Sequence, residues 1–259
     1  MQPVLVVPDD VFPTGTQLTF TEALLQMRQN AAGVIIELVL QNGTYHVGEL
    51  MAELTRFDGS LIVSEVRITN DARGAILDGG VDLAARRLQS SAPSLPPPLH
   101  PQLSTPPSLP PPRAPRRMPP PSSPLAPQRS VFSIENGAPR IVMSGLTFRR
   151  FERLPPIAVS GGQLSISACQ FNDNLASALL LTGGSVNVSE SDFSGNGMRS
   201  LEGGAIHVAG GELNVHGGTF AGNVALDGGA IFVSGSSGGH SNVSIQHTRL
   251  TRNVAFARG

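Results

Sequence analysis

Apolar positions recur in a fixed register through the second half of the chain. Phe148, Phe171, Phe193, Phe220 and Leu250 serve as reference points, and they stand 23, 22, 27 and 30 residues apart. Seven and five positions before each lie Ile141/Met143, Leu164/Ile166, Val186/Val188, Leu213/Val215 and Val243/Ile245. All ten are apolar with a period of two, the signature of a strand with one buried face. Three positions after each reference lie Phe151, Asn174, Asn196, Asn223 and Asn253, so four of the five are Asn. A second strand recurs as IAVSGG at Ile157–Gly162, LLLTGG at Leu179–Gly184, IHVAGG at Ile206–Gly211 and IFVSGS at Ile231–Ser236. Each unit is expected to hold two short strands, a Gly-rich bend and an Asn-bearing turn.

A unit of this length cannot bury its apolar face alone, but stacked neighbours can bury it together. Strands and tight turns without helices then give a solenoid of parallel strands. In that arrangement the Phe residues form a column in the core. Asn suits the turn in two ways: it tolerates the left-handed conformation, and an Asn stacked on an Asn one coil away forms an amide ladder. Gly203-Gly204 and Gly228-Gly229 are expected to supply positive φ or close backbone approach at a corner.

The first 80 residues read as the start of such a solenoid. Thr21 is placed to cap a short amphipathic helix with Leu24, Leu25 and Met27 on one side, running to about Asn30. GVIIELVL, a turn at Asn42–Thr44, LIVSEVRI and GAILDGG follow. Sixteen of the 22 prolines then fall between Pro93 and Pro127. Pro donates no N–H and fixes φ, so this stretch cannot build a ladder and is expected to be an extended, disordered insertion. The predicted organisation is therefore 1–80, cap and first coils; 81–129, Pro-rich insertion; 130–259, repeat coils. Deleting 81–129 joins ILDGG to SVFSIENG, which reads as consecutive turns, so the segment is either a long loop at one corner or retained intron sequence.

Composition narrows the function classes. The net charge is -1, all 18 basic residues are Arg, and no global pull toward nucleic acid is expected. A single cysteine, Cys169, excludes an internal disulfide framework. No apolar run reaches the length of a membrane span, and the N-terminus lacks the basic segment of a signal peptide.

GGAI at Gly203–Ile206 and Gly228–Ile231, alternating with FxxN at 171–174, 193–196 and 220–223, resembles the repeats of the chlamydial polymorphic outer-membrane proteins. The chain also resembles the wider pectate-lyase-like group over about residues 15–80 and 130–259. The resemblance implies a right-handed parallel β-helix and an extracellular or cell-surface setting. It hosts lyases, hydrolases and adhesins alike, so it implies no single activity. The polymorphic proteins carry a signal peptide and a C-terminal barrel that are not visible here, so outer-membrane anchoring is not carried over. Asn253–Gly259 matches Asn223–Gly229 at its start and lacks the strand that follows, so a fragment of a longer protein is expected.

In β-helix enzymes of that group, carboxylates gather on the outer face of a strand column, for acid/base work or calcium. The outward positions here are Ala158/Ser160, Leu180/Thr182, His207/Ala209, Phe232/Ser234, Val142/Ser144, Ser165/Ser167, Asn187/Ser189, Asn214/His216 and Ser244/Gln246. None of these eighteen is acidic. Asp9, Asp10, Asp71 and Asp78 precede the insertion, and Asp78 reads as a turn residue bonding its own backbone. His207 and His216 could approach each other on adjacent faces, but two His alone make a poor metal site. Cys169 reads as a small packed residue without a base. Leu180 and Phe232 mark a candidate partner patch. Pro112–Arg117 matches a P-x-x-P-x-Arg ligand, and Asn42, Asn187 and Asn242 begin glycosylation sequons. No catalytic, cofactor-binding or metal residue is assigned. The expected function is a non-catalytic repeat scaffold for surface interaction or adhesion, with glycans or cell-surface proteins as partners and no nucleic acid. The alternative is a fragment of a polysaccharide lyase or glycoside hydrolase.

Overall fold

A computed structural model describes residues 4–7, 35–40, 43–46, 56–60, 63–70, 74–79, 130–234 and 240–258. The expected helix at Thr21–Asn30, the Pro-rich residues 81–129, and Asp9, Asp10, Asn42 and Asp71 lie outside them. Contact clustering divides the chain into Met1–Gly80 with Arg129–Gly259, and Val81–Gln128.

The described residues are all-β. The strands before the insertion are β1 (Val4–Val7), β2 (Ile35–Leu40), β3 (Gly43–His46), β4 (Arg56–Phe57), β5 (Glu65–Asn70) and β6 (Ala75–Asp78). After it come β7 (Phe132–Ile134), β8 (Arg140–Ser144), β9 (Leu146–Arg149), β10 (Ile157–Val159), β11 (Gln163–Ser167) and β12 (Gln170–Asn172). Then follow β13 (Leu179–Leu181), β14 (Ser185–Ser189), β15 (Asp192–Ser194), β16 (Ile206–Val208), β17 (Gly211–His216) and β18 (Thr219–Ala221). The last five are β19 (Val224–Asp227), β20 (Ile231–Val233), β21 (Ser241–Gln246), β22 (Arg249–Thr251) and β23 (Val254–Arg258).

These strands form three long parallel sheets and one short one. Sheet 1 runs β1-β2-β5-β8-β11-β14-β17-β21, sheet 2 runs β3-β6-β9-β12-β15-β18-β22, and sheet 3 runs β4-β7-β10-β13-β16-β20. Sheet 4 is the pair β19-β23. From β4 onward the chain visits sheets 3, 1 and 2 in turn, each visit pairing with the visit one unit earlier, and β19 and β23 add a strand after sheet 2 in the last two units. Each described repeat thus holds at least three strands, not the two read from the sequence. The reference Phe lies on this third strand, which escaped the sequence reading because a three-residue strand leaves almost no period-two signal. Likewise Gly43 and Thr44, expected in a turn, lie in β3 and pair with Ala75 and Ile76.

The sheets continue across the insertion. β6 pairs with β9 through Leu77 and Phe148, and β7 pairs with both β4 and β10 through Ile134. The chain thus leaves sheet 2 after Gly79 and rejoins sheet 3 at Phe132.

Register explains the core. Phe148, Phe171, Phe193 and Phe220 are fully buried, and successive rings stack at 4.7, 4.6 and 4.5 Å with planes within 9°. That spacing is the strand separation itself, so in-register pairing sets the ring contacts. Each buried ring contributes roughly 1.5–3 kcal/mol of apolar transfer. The inward pairs from Ile141/Met143 to Leu213/Val215 are buried as expected, whereas in the outermost strands Val233, Ile245 and Leu250 are 47%, 41% and 48% exposed. Their sheets have no further strand on that side among the described residues, so nothing covers them.

A second column is polar. Asn174, Asn196 and Asn223 are fully buried. Each side-chain amide donates to the next Asn Oδ1, at 2.8, 2.9 and 2.9 Å, ending on Asn253. Each also donates to the backbone carbonyl of a Phe one unit back: Asn174 to Phe148, Asn196 to Phe171, Asn223 to Phe193 and Asn253 to Phe220. Phe151 closes the ladder by donating its N–H to Asn174 Oδ1 at 3.1 Å. The left-handed conformation sits one position earlier than expected, at Arg150, Asp173, Gly195, Gly222 and Arg252, with φ between 54 and 64°. The Asn is selected for the ladder, and its neighbour takes the turn.

Candidate functional site

Corner lengths locate the variable part of the molecule. After the insertion the sheet 1 to sheet 2 corner is constant, since Leu164 to Phe171, Val186 to Phe193, Leu213 to Phe220 and Val243 to Leu250 are all seven residues; before it, the equivalent steps from Ile36 to Tyr45 and from Val66 to Leu77 are nine and eleven. The sheet 3 to sheet 1 corner is nine residues from Phe132 to Ile141, seven in the next three units and twelve from Ile231 to Val243. The sheet 2 to sheet 3 corner varies most: Phe148 to Ile157 is nine, Phe171 to Leu179 eight, Phe193 to Ile206 thirteen and Phe220 to Ile231 eleven. The 55 residues from Leu77 to Phe132 are the extreme case of the same corner. Loops on a rigid frame are where binding and chemistry concentrate.

That corner carries an open groove of about 270 Å³. Its longest loop is pinned to the coil below. Gly197 N–H donates to Asn174 O at 2.8 Å, Arg199 N–H to Leu175 O at 2.8 Å, and Ser177 Oγ–H to Gly203 O at 2.5 Å. Gly203 takes a left-handed φ of 66°, and a Cβ on Gly204 would sit 2.0 Å from Gly229 O. The two glycines thus do different work: one turns the chain, and the other lets the next coil approach.

The loop presents Arg199, Leu201 and Glu202 to the groove, opposite Glu152 and Arg153 from the preceding corner. Leu180 and His207, outward on sheet 3, form its floor. His207 Nε2 lies 3.2 Å from Glu202 Oε2 and 3.2 Å from Ser234 Oγ. Both contacts fall on one nitrogen, so the three groups do not form a relay in which an acid orients one side of the ring and the other activates a hydroxyl. Burial holds the His207 imidazole below its usual range, and attraction to Glu202 opposes that only in part. Neither Arg153 nor Arg199 has a carboxylate within ion-pair distance among the described residues. By contrast Arg56 pairs with Glu135, Arg67 and Arg140 with Glu65, and Arg149 and Arg150 with Asp78.

All eighteen outward positions read from the sequence are partly or fully exposed. Sheet 2 adds a further outward column, Thr147/Arg149, Gln170/Asn172, Asp192/Ser194, Thr219/Ala221 and Arg249/Thr251, with Asp192 its only carboxylate. Leu180 lies in the groove, while Phe232 packs against the His207 ring with centroids 5.7 Å apart. Asn187 and Asn242 are exposed on sheet 1.

Three readings change. Asp78 is the last residue of β6 rather than a turn residue, and its side chain is fully buried under Arg149 and Arg150. His207 and His216 do not meet; His207 turns to Glu202, and His216 packs against His247 with centroids 4.9 Å apart. The carboxylates near His207 escaped notice because they sit on corner loops rather than strands. The signal was present: residues 197–202 fall in the unit that lengthens the repeat from 22 to 27.

Cys169 is buried, its thiol donates to Ser167 O at 3.3 Å, and desolvation pushes its pKa up to about 11. That is the opposite of a reactive thiol. Among the described residues no group of three or more His, Cys, Asp or Glu is placed to hold a metal ion. No described helix is long and apolar enough to cross a membrane. Compared with protein-family models, curated proteins and solved structures, the chain matches none.

Proposed function

We propose that the chain is a right-handed parallel β-helix serving as a non-catalytic scaffold for surface interaction. The parallel sheets, visited in fixed order with GGAI at one corner, support the fold. The observation that carries the function is the contrast between a constant and a variable corner in the coils after the insertion. One corner there holds a seven-residue step, while another takes eight, nine, eleven and thirteen residues, and the insertion falls at that variable corner. Strand faces in the repeat coils are polar and nearly free of carboxylates, which suits contact rather than bond cleavage. Binding assays on glycan arrays and on cell-surface protein panels test this reading, together with a turnover screen on plant and algal polysaccharides. Robust cleavage overturns it.

One observation favours a second reading. Glu152 and Glu202 line the same groove, and paired carboxylates do the work in glycoside hydrolysis. If the chain is a fragment of such an enzyme, E152Q and E202Q should each abolish any cleavage found.

A further inference from the structure

Two sequons share one face of the fold. Asn187-Val188-Ser189 lies in β14 and Asn242-Val243-Ser244 in β21, both in sheet 1. Strand alternation sends the first and third residue of each outward and the middle Val toward the core. Asn187 and Asn242 are accordingly exposed, Val188 is buried, and Val243 packs against the core. An acceptor Asn and the hydroxyl residue that N-glycosylation requires two positions on thus lie side by side on an accessible surface. The third sequon, at Asn42, lies outside the described residues.

The Asn side chains separate into two kinds. Asn174, Asn196, Asn223 and Asn253 each spend the amide nitrogen inside the ladder, on a Phe carbonyl one unit back. A glycan on any of them would break the column. None of the four begins a sequon: the residues two positions on are Ala176, Met198, Ala225 and Ala255. Asn187 is the reverse case. Its Oδ1 accepts from Asn214 Nδ2 at 3.2 Å, and its own Nδ2, the atom that carries the sugar, makes no hydrogen bond among the described residues. Its neighbours in the outward column are Ser165 and Asn214. Both are small and uncharged, so they leave room for a bulky, hydrated group. Asn242 stands in the next outward column, opposite Glu212.

We propose that Asn187 and Asn242 are N-glycosylated, which makes sheet 1 the sugar-covered face and leaves the sheet 2 to sheet 3 corner for contact. The donor is a lipid-diphosphate oligosaccharide. Asn Nδ2 forms the new bond to the anomeric carbon as the bond from that carbon to the diphosphate oxygen breaks. The lipid diphosphate leaves with the bonding pair, and the amide gives up one proton to a base of the transferase. This rests on the surface-scaffold reading, because the transfer takes place in the secretory compartment, and deepens it by dividing the surface between glycan and partner.

The experiment starts from cells that naturally produce the chain. An antibody to it probes intact cells and the medium, and the captured full chain is treated with peptide N-glycosidase in heavy-oxygen water. That treatment leaves a heavy-labelled Asp wherever an Asn carried a glycan, and mass spectrometry of the peptides reads each position. The expected result is label at positions 187 and 242 and a downward shift in apparent mass on release. Expressed in the same cells, N187Q and N242Q should each lose one glycan. S189A and S244A should lose the same glycans while keeping the Asn, which separates loss of the acceptor signal from loss of the Asn187–Asn214 bond. Unmodified Asn187 and Asn242 in a chain found at the cell surface or in the medium overturn the proposal and leave the scaffold reading standing. An unmodified chain confined to the cell interior overturns both.

Discussion

Asn196 is bonded to Asn223 twice: its backbone N–H reaches Asn223 Oδ1 at 3.0 Å and its side-chain amide reaches the same oxygen at 2.9 Å. Asn196 Oδ1 receives the same pair of donors from Asn174, at 3.3 and 2.8 Å. The polar column is therefore cooperative, each amide satisfying the coil before it and being satisfied by the coil after it.

Asn196→Ala orphans buried groups on both sides: the Asn174 amides, Phe171 O and part of Asn223. At 1–3 kcal/mol for each unsatisfied buried group, the loss should be roughly 3 kcal/mol or more. Asn253→Ala should cost only about 1 kcal/mol, because Asn253 is half-exposed and water can replace it. Denaturant melts of the two variants measure the difference. Equal small losses would show that the ladder contributes little.

The same logic shows what the sequence exposed and what it hid. The Phe column and the Asn column were legible because a parallel register places identical residues on one another, so burial leaves a periodic trace. The third strand was not legible, because three residues around a buried Phe carry too little alternation to read. The ion-paired burial of Asp78 was hidden for another reason. Its partners, Arg149 and Arg150, lie more than 70 positions away in sequence and meet it only because β6 pairs with β9. Glu202 and Arg199 escaped because loops break the period that identified everything else, and in a repeat fold a break in the period is the better guide to a site.

Replacing residues 81–129 with a short Gly-Ser linker should leave the sheets intact. Direct fusion of Gly80 to Ser130 would bring Leu77 within six residues of Phe132, shorter than any other corner of this type, which span eight to thirteen. A three-residue linker restores nine, the length between Phe148 and Ile157. Counting chain closure alone, shortening a 55-residue connection to nine favours the folded state by about 1.5 kcal/mol. The linker variant should therefore keep its far-UV spectrum and melt slightly higher than the full chain, and the direct fusion should melt lower than the linker variant. Loss of β signal in the linker variant would show that the segment is needed for folding.

Cys169 offers a reporter of coil opening. With its thiol buried and its pKa pushed up to about 11, the native protein should resist alkylation at neutral pH and react only through opening. Labelling by iodoacetamide should then track denaturant concentration, and F193A should accelerate it. That substitution removes a ring stacked on both sides and should cost about 3–5 kcal/mol. Rapid labelling of the native wild type would mean that the stack opens locally without unfolding.

His207 gives the groove a defined pH response. Burial holds the folded-state pKa below the ordinary value of 6.5, against the pull of Glu202. The unfolded chain therefore binds a proton more readily than the folded one. Stability is fully present above the ordinary His value and falls as pH drops through it toward the lower folded value. Glu152, Arg153, Arg199 and Glu202 face the same groove. Thermal melts between about pH 7.5 and 5.5 should show the wild type losing more stability on acidification than H207Q, which lacks the titrating ring. The opposite sign, with the wild type gaining stability as pH falls, would mean that pairing with Glu202 outweighs burial, and the groove would then tighten rather than loosen in acid.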